Sequence, residues 1–292
     1  KGASTSIDVG LKKGQRKKVH VDGVALEKFS EHIGFLPVVM ITPSDRGLIL
    51  DGAETRRKLV DATISQNKRS YLVALMNYNK ALAQRNTTLK YFASNRTYDA
   101  DMIELYDEQL IQHSAVIFEH RRDFVEELLP VLQSYYQHLS NGRESVGIRY
   151  KSALHDTDMQ DILQANLEKD RVLQYTSSGI HRDDLIFTLG DLPIKKLGSQ
   201  GQQKSFLIAL KLAQFEVSQR QLGMPPLLLL DDIFDKLDEH RVSNLLHLVN
   251  SDQFGQIFIT DTHPQRMKQL SEHLDLNHTT FELMDNGEIE VL

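Results

Sequence analysis

The sequence predicts an α/β protein with an inserted α-helical arm, and three observations predict it. Its last third alternates short apolar runs with helical periodicity, the pattern of strands and helices around a parallel core. From about Asp51 to Leu139 the apolar residues recur at helical spacing. The opening residues alternate in strand fashion around turn dipeptides. The implied division is 1–50 as part of a head lobe, 51–170 as the helical arm and 171–292 as the remainder of the head.

In order along the chain, residues 4–11 and 16–21 flank "KKGQ" and read as a β-hairpin, with Asp22-Gly23 as the next turn. "FLPVVMITPSD" (Phe35–Asp45) reads as a buried strand entering a Pro-marked loop. Three helical stretches follow, and the longest is expected to break near Pro130; together they suggest a helical hairpin. "SVGIRYK" returns to strand character, and 157–174 is helical. "RDDLIFTLGDLPI" gives strand, Gly190-Asp191 turn and strand. A long helix then opens at "LGSQGQQKS", with Phe206, Leu207, Leu210 and Ala213 among the apolar residues of one broad face. "PPLLLLDDIFDKLDEHRVSNLLHLV" reads as buried strand, loop and helix, and "GQIFITDTH" as another strand. "TTFELMDNGEIEVL" closes as a hairpin around Asn286-Gly287.

The 292 residues suit about two domains, and 40% hydrophobic with 25% charged residues is ordinary globular composition. No apolar run approaches the roughly 18–20 residues that span a bilayer, so no membrane partner is expected. No signal-peptide pattern opens these residues. The absence of cysteine excludes disulfides, thiolate zinc sites and cysteine nucleophiles, which fits a cytoplasmic protein. A net charge of −6 does not announce a nucleic-acid binder. Local cation clusters do occur, at Lys12 to Lys18, Arg56 to Lys58, Lys68-Arg69 and Arg121-Arg122.

Two stretches carry chemistry. Ser199 followed three residues on by Gln202 has capping-box spacing, which by itself only starts a core helix. The same stretch also fits an anion site, with backbone N–H groups at a helix N-terminus and a glycine for close approach. In "LLLLDD" a buried strand explains the leucines but not the two acids at its end. Ligands of open α/β sheets bind at that edge. Asp231 suits Mg2+ in a nucleotide site, directly or through water, and Asp232 suits orientation or deprotonation of an attacking water. The competing reading is a loop start that caps the helix near Glu239.

A "SxGQ" helix start about 25 residues ahead of an acid-ended apolar strand resembles the order of the ABC-type ATPases. "LGSQGQQKS" resembles their signature, with Ser199, Gln200, Gly201 and Gln202 as nucleotide contacts. "LLLLDDIFDKLD" resembles Walker B plus D-loop, with Asp235 to Asp238 as the D-loop and Asp238 a further nucleotide contact. Within that superfamily the chain resembles the RecF family of DNA replication and repair proteins. The stretches that carry it are "VVMITPSDRGLILDGAETRRKLVD", "YNKALAQRNTTLK", "SGIHRDDLIF", "SQGQQKSFLIALKLAQ" and "PPLLLLDDIFDKLD".

The resemblance implies an ABC-type ATPase head, a mixed sheet flanked by helices, with the arm inserted. It implies ATP and Mg2+ as cofactors and an ATP-dependent homodimer in which one subunit's signature caps the γ-phosphate held by the other. It further implies binding to gapped DNA at junctions of single and double strands, work with recombination mediator proteins, and loading of the RecA recombinase in repair and replication restart. Arg56, Arg57, Lys68 and Arg69 are the expected DNA contacts. The family's GxxxxGK[ST] phosphate loop is missing from these residues. The family carries it near its N-terminus, so the expectation is a chain without its first several dozen residues. Such a chain is inactive alone, and a weak ATPase resides in the full-length protein. No glutamine marks a Q-loop near "MITPSD", and His263 in "FITDTH" receives no catalytic role. His181 and Asp183 of "HRDD" are two apart, but a structural role or a nucleotide-interface contact is the preferred reading over a metal site. The alternatives are a non-enzymatic DNA- or protein-binding scaffold and another ABC-type or SMC-like head. The SMC-like reading requires sustained heptads, which the roughly 90-residue helical region lacks.

Overall fold

The computed structural model describes residues 4–15, 17–142, 144–233, 239–249, 252–263, 278–284 and 287–291. Strands β1 (Ile7–Gly10) and β2 (Lys18–Val21) pair antiparallel, with Ile7 opposite Val21. Asp22 and Gly23, both at positive φ (50° and 79°), then turn the chain into β3 (Val24–Ala25). β4 (Val38–Ile41) leads into a 3-10 turn over Pro43–Arg46 and a short helix, α1 (Gly47–Leu50).

The arm consists of α2 (Ala53–Asn67), α3 (Arg69–Asn95) and α4 (Ala100–Ser140). Arg96, left-handed at φ 54°, ends α3. The Asp99 carboxylate caps α4 by accepting the Met102 N–H at 3.1 Å, and the two helices pack as a hairpin. The expected break at Pro130 is absent, because α4 runs through it for 41 residues. Pro130 is exposed between the buried Leu128 and Val131, so its missing N–H leaves a carbonyl that water reaches.

The chain continues through β5 (Val146–Lys151), α5 (Met159–Leu173), β6 (Asp184–Leu189), β7 (Leu192–Pro193) and α6 (Ile194–Leu197). It then forms α7 (Gln200–Leu222), β8 (Leu227–Asp231), α8 (Glu239–Val249) and β9 (Ile257–Thr260), and ends in β10 (Phe281–Leu283) and β11 (Ile289–Val291). β4, β8 and β9 form a parallel sheet in that order, with Ile41 beside Leu230 and Asp231 beside Thr260. β5, β6 and β7 form an antiparallel sheet, so β5 pairs with β6 across the 170/171 division read from the sequence.

One helix organises the interior. The sequence predicts a single apolar face for α7, but the structure buries it nearly all round from Gln203 to Ser218. α4 covers one side, and β4 of the parallel sheet lies against another. Arm and head therefore share one continuous core.

Candidate functional site

The parallel sheet sets the first half of the site. Along β8, Leu228 and Leu230 are buried while Leu227, Leu229 and Asp231 alternate onto the other face. Asp231 is therefore placed by the pleat at the carboxyl edge, where its carboxylate accepts the Thr260 hydroxyl at 2.6 Å. Asp232 leaves the strand in the left-handed region (φ 47°), and its N–H donates to the Thr260 carbonyl at 3.1 Å. Aspartate tolerates that conformation better than most residues. Both acids are half-buried, and among the described residues the Asp232 carboxylate carries no hydrogen bond. At the end of β9, Asp261 accepts the backbone N–H of His263 at 2.7 Å and lies 3.2 Å from its Nδ1.

Across β4 the edge continues as Thr42–Asp45. The Asp45 carboxylate accepts the Thr42 N–H at 2.8 Å, and the Thr42 and Ser44 hydroxyls meet at 2.6 Å. Lys211, buried in α7, places its ammonium 2.9 Å from Asp45 and 2.9 Å from the Met40 carbonyl. Sequence reasoning missed Lys211, Asp45 and Thr260. The available signal was a lysine inside the apolar run "LIALKLAQF", a position that demands a partner.

The second half lies at the start of α7. The capping box is present: Ser199 Oγ accepts the Gln202 N–H at 3.2 Å, and Gln202 Oε1 accepts the Ser199 N–H at 2.7 Å. Gln202 also donates to Glu144 at 2.5 Å, and the other Glu144 oxygen takes the Tyr136 hydroxyl at 2.6 Å. Ser199 and Gln200 remain exposed. A Cβ at Gly201 would meet only the Arg241 guanidinium, the movable end of a long side chain, so packing within the chain does not itself demand glycine there. Ser199 lies twelve residues before Lys211, so the helix carries it about 18 Å along its axis from the sheet edge. The structure brings Asp231 and Asp232 together and keeps Ser199, Gln200, Gly201 and Gln202 apart from them. The expected D-loop, including Asp238, lies outside the described residues.

Arg56 and Arg57, expected on a DNA-facing surface, are turned into the fold. Arg56 donates to Asp184 at 2.7 and 3.1 Å and to the carbonyls of Leu48 and Asp51. Arg57 donates to the Asp183 carbonyl at 2.7 Å. Lys68 and Arg69 are exposed where α2 meets α3, with Arg69 donating to the Ser30 carbonyl.

The "HRDD" stretch is bonded into the fold. Its histidine sits in a 3-10 turn rather than a strand, between the Tyr78 hydroxyl at 2.8 Å and the Thr176 carbonyl at 3.0 Å. Burial pushes His181 down to about 4. Asp183 faces Arg121 at 3.1 Å and the Tyr150 hydroxyl at 2.5 Å, and burial pushes its carboxyl up. Arg121 also pairs with Asp61 and donates to the Ile180 carbonyl. Among the described residues no cluster of three metal-ligating side chains occurs.

No family model matches the chain. It is 52% identical over 277 residues to the DNA replication and repair protein RecF of Flavobacterium johnsoniae, covering 95% of this chain and 77% of the relative. It is 42% identical over 288 residues to the protein of the same name from Bacteroides thetaiotaomicron, covering 99% and 77%. Among solved structures it resembles the recombination mediator protein RecF of the RecFOR pathway as RecF-ATP. That likeness has a TM-score of 0.84 at 26% identity, over 99% of this chain and 76% of the other.

Proposed function

Because the chain belongs to the RecF family of DNA replication and repair proteins, we propose that it forms the greater part of an ATP-gated DNA clamp. The observation that carries this reading is the separation of its two polar half-sites. The sheet edge and the Ser199 end of α7 are too far apart to grip one nucleotide within a chain. A ligand that touches both joins two copies, edge to signature.

In that assembly Asp231, with the Thr260 hydroxyl, offers hard oxygen donors of the kind Mg2+ takes. Asp232, free of hydrogen bonds on its carboxylate among the described residues, accepts a proton from or orients the attacking water. Ser199 keeps its hydroxyl proton for a phosphate oxygen, because the cap uses only its lone pair. The first N–H groups of α7 and the helix dipole face the same anion. Bound ATP supplies the phosphates that bridge the two copies, and hydrolysis releases them.

The chain spans about three quarters of the length of these relatives, and no GxxxxGK[ST] loop occurs in its residues. We therefore assign turnover to the full-length protein. Lys68 and Arg69 are the proposed DNA contacts, with gapped junctions, mediator proteins and RecA as partners. No described helix is long and apolar enough to cross a membrane. The test is paired. Asp232→Asn is expected to slow ATP turnover and preserve ATP-bound dimers; Ser199→Arg is expected to abolish ATP-dependent dimers and spare nucleotide binding. Unchanged turnover in the first variant favours a non-enzymatic scaffold.

A further inference from the structure

Lys211 is an unusual residue for its place. It lies among Phe206, Leu210, Leu212, Ala213 and Phe215, all essentially inaccessible, in the part of α7 that is buried nearly all round. A buried ammonium is retained only with close partners, since desolvation costs several kcal/mol by order of magnitude. Its partners are the Met40 carbonyl near the end of β4 and the Asp45 carboxylate, both at 2.9 Å. The second Asp45 oxygen holds the Thr42 N–H. One carboxylate thus ties the segment after β4 both to itself and to the middle of α7.

That segment borders Asp231, because β4 and β8 are adjacent parallel strands. Its hydroxyls, Thr42 and Ser44, satisfy each other and face solvent. The other observation concerns α7 itself. Gln203 Oε1, Ser205 Oγ and Gln214 Oε1 are buried on this helix without a hydrogen-bond partner. Buried polar atoms are seldom left so, and no side-chain hydrogen bond from these three atoms holds α7 in place.

We propose that Lys211 and Asp45 are a positioning pair that passes nucleotide occupancy at the sheet edge along α7 to the Ser199 end. This rests on the proposed function above and adds the residues that couple its two half-sites. A phosphate or hydrated cation at the edge draws on the Thr42 and Ser44 hydroxyls and moves the segment. Asp45 moves with it, and Lys211 transmits the displacement to a helix too well packed to bend. The Ser199 end, about 18 Å away, shifts as a rigid body.

The experiment uses the full-length protein with Lys211→Met, Asp45→Asn and Lys211→Arg. Thermal unfolding, titration with a fluorescent ATP analogue and sedimentation with and without ATP are measured on each. Lys211→Met and Asp45→Asn are expected to bind nucleotide within about threefold of wild type yet to need at least about tenfold more protein for ATP-driven dimers. Lys211→Arg keeps the charge and is expected to restore dimerisation. Asp45→Asn, near-isosteric, carries the test if Lys211→Met does not fold. Dimerisation equal to wild type, binding and dimerisation falling together, or loss of the fold in both variants would overturn the coupling. A wild-type protein that binds no nucleotide or does not dimerise on it overturns the underlying function instead.

Discussion

Two groups of charged side chains in this protein are built on opposite terms. Around Arg121 every partner is close: Asp61, Asp183, Tyr71, Tyr150 and the Ile180 carbonyl enclose a guanidinium that is almost fully buried. A second, less complete knot joins Arg85 to Asp107, Asp170 and Thr176 and leaves Arg85 Nη2 without a hydrogen-bond partner among the described residues. At the sheet edge, Asp231 holds one hydroxyl and the Asp232 carboxylate none among the described residues, and both stay half-exposed. Saturated charge fastens the arm to the head. Unsaturated charge waits at the edge where parallel sheets bind ligands.

Breaking the saturated group should give the largest effect on stability. Arg121→Met leaves the buried Asp183 and the half-buried Asp61 without their cation, at an expected cost of about 3–5 kcal/mol in urea unfolding. Asp232→Asn should do the reverse. Turnover of the full-length protein is expected to fall about 100-fold or more, while unfolding moves by no more than about 0.5 kcal/mol.

His181 sharpens the contrast by pH. Its folded value, about 4, lies below its ordinary 6.5, so the unfolded chain binds more protons between these limits. Stability from this group is present above about pH 6.5 and is lost as pH falls towards 4. Urea titrations at pH 7 and pH 5 should differ by about 2 kcal/mol more in wild type than in His181→Gln. The smallest effect is expected at the surface. Lys68→Glu with Arg69→Glu should leave the fold intact and lower the salt dependence of DNA binding by about one unit of slope per lost phosphate contact. Arg56→Ala should instead destabilise the fold, because its donors serve Asp184 and two carbonyls.

Much of this was legible in the sequence because its signals are local. The Asp-Gly turn, the capping box at Ser199 and the apolar strand ending in Asp231-Asp232 are set by neighbours a few residues away. The saturated pairs were not legible. Arg56 meets Asp184 across 128 residues and Arg121 meets Asp183 across 62, so the basic runs read as surface although Arg56, Arg57 and Arg121 face inward. Pro130 misled for a related reason: whether proline breaks a helix depends on which face it occupies, and tertiary packing decides that. Lys211 was hidden because its partner lies on another strand's loop.

In the proposed clamp, one nucleotide is held by the sheet edge of one copy and the Ser199 end of another. Mixing equal amounts of full-length Ser199→Arg and Asp232→Asn tests it most directly. Each variant alone is expected to be nearly inactive. Their mixed dimer contains one site with both halves intact, so ATP turnover should reappear on mixing. A mixture no more active than either variant alone would contradict a nucleotide shared between two copies.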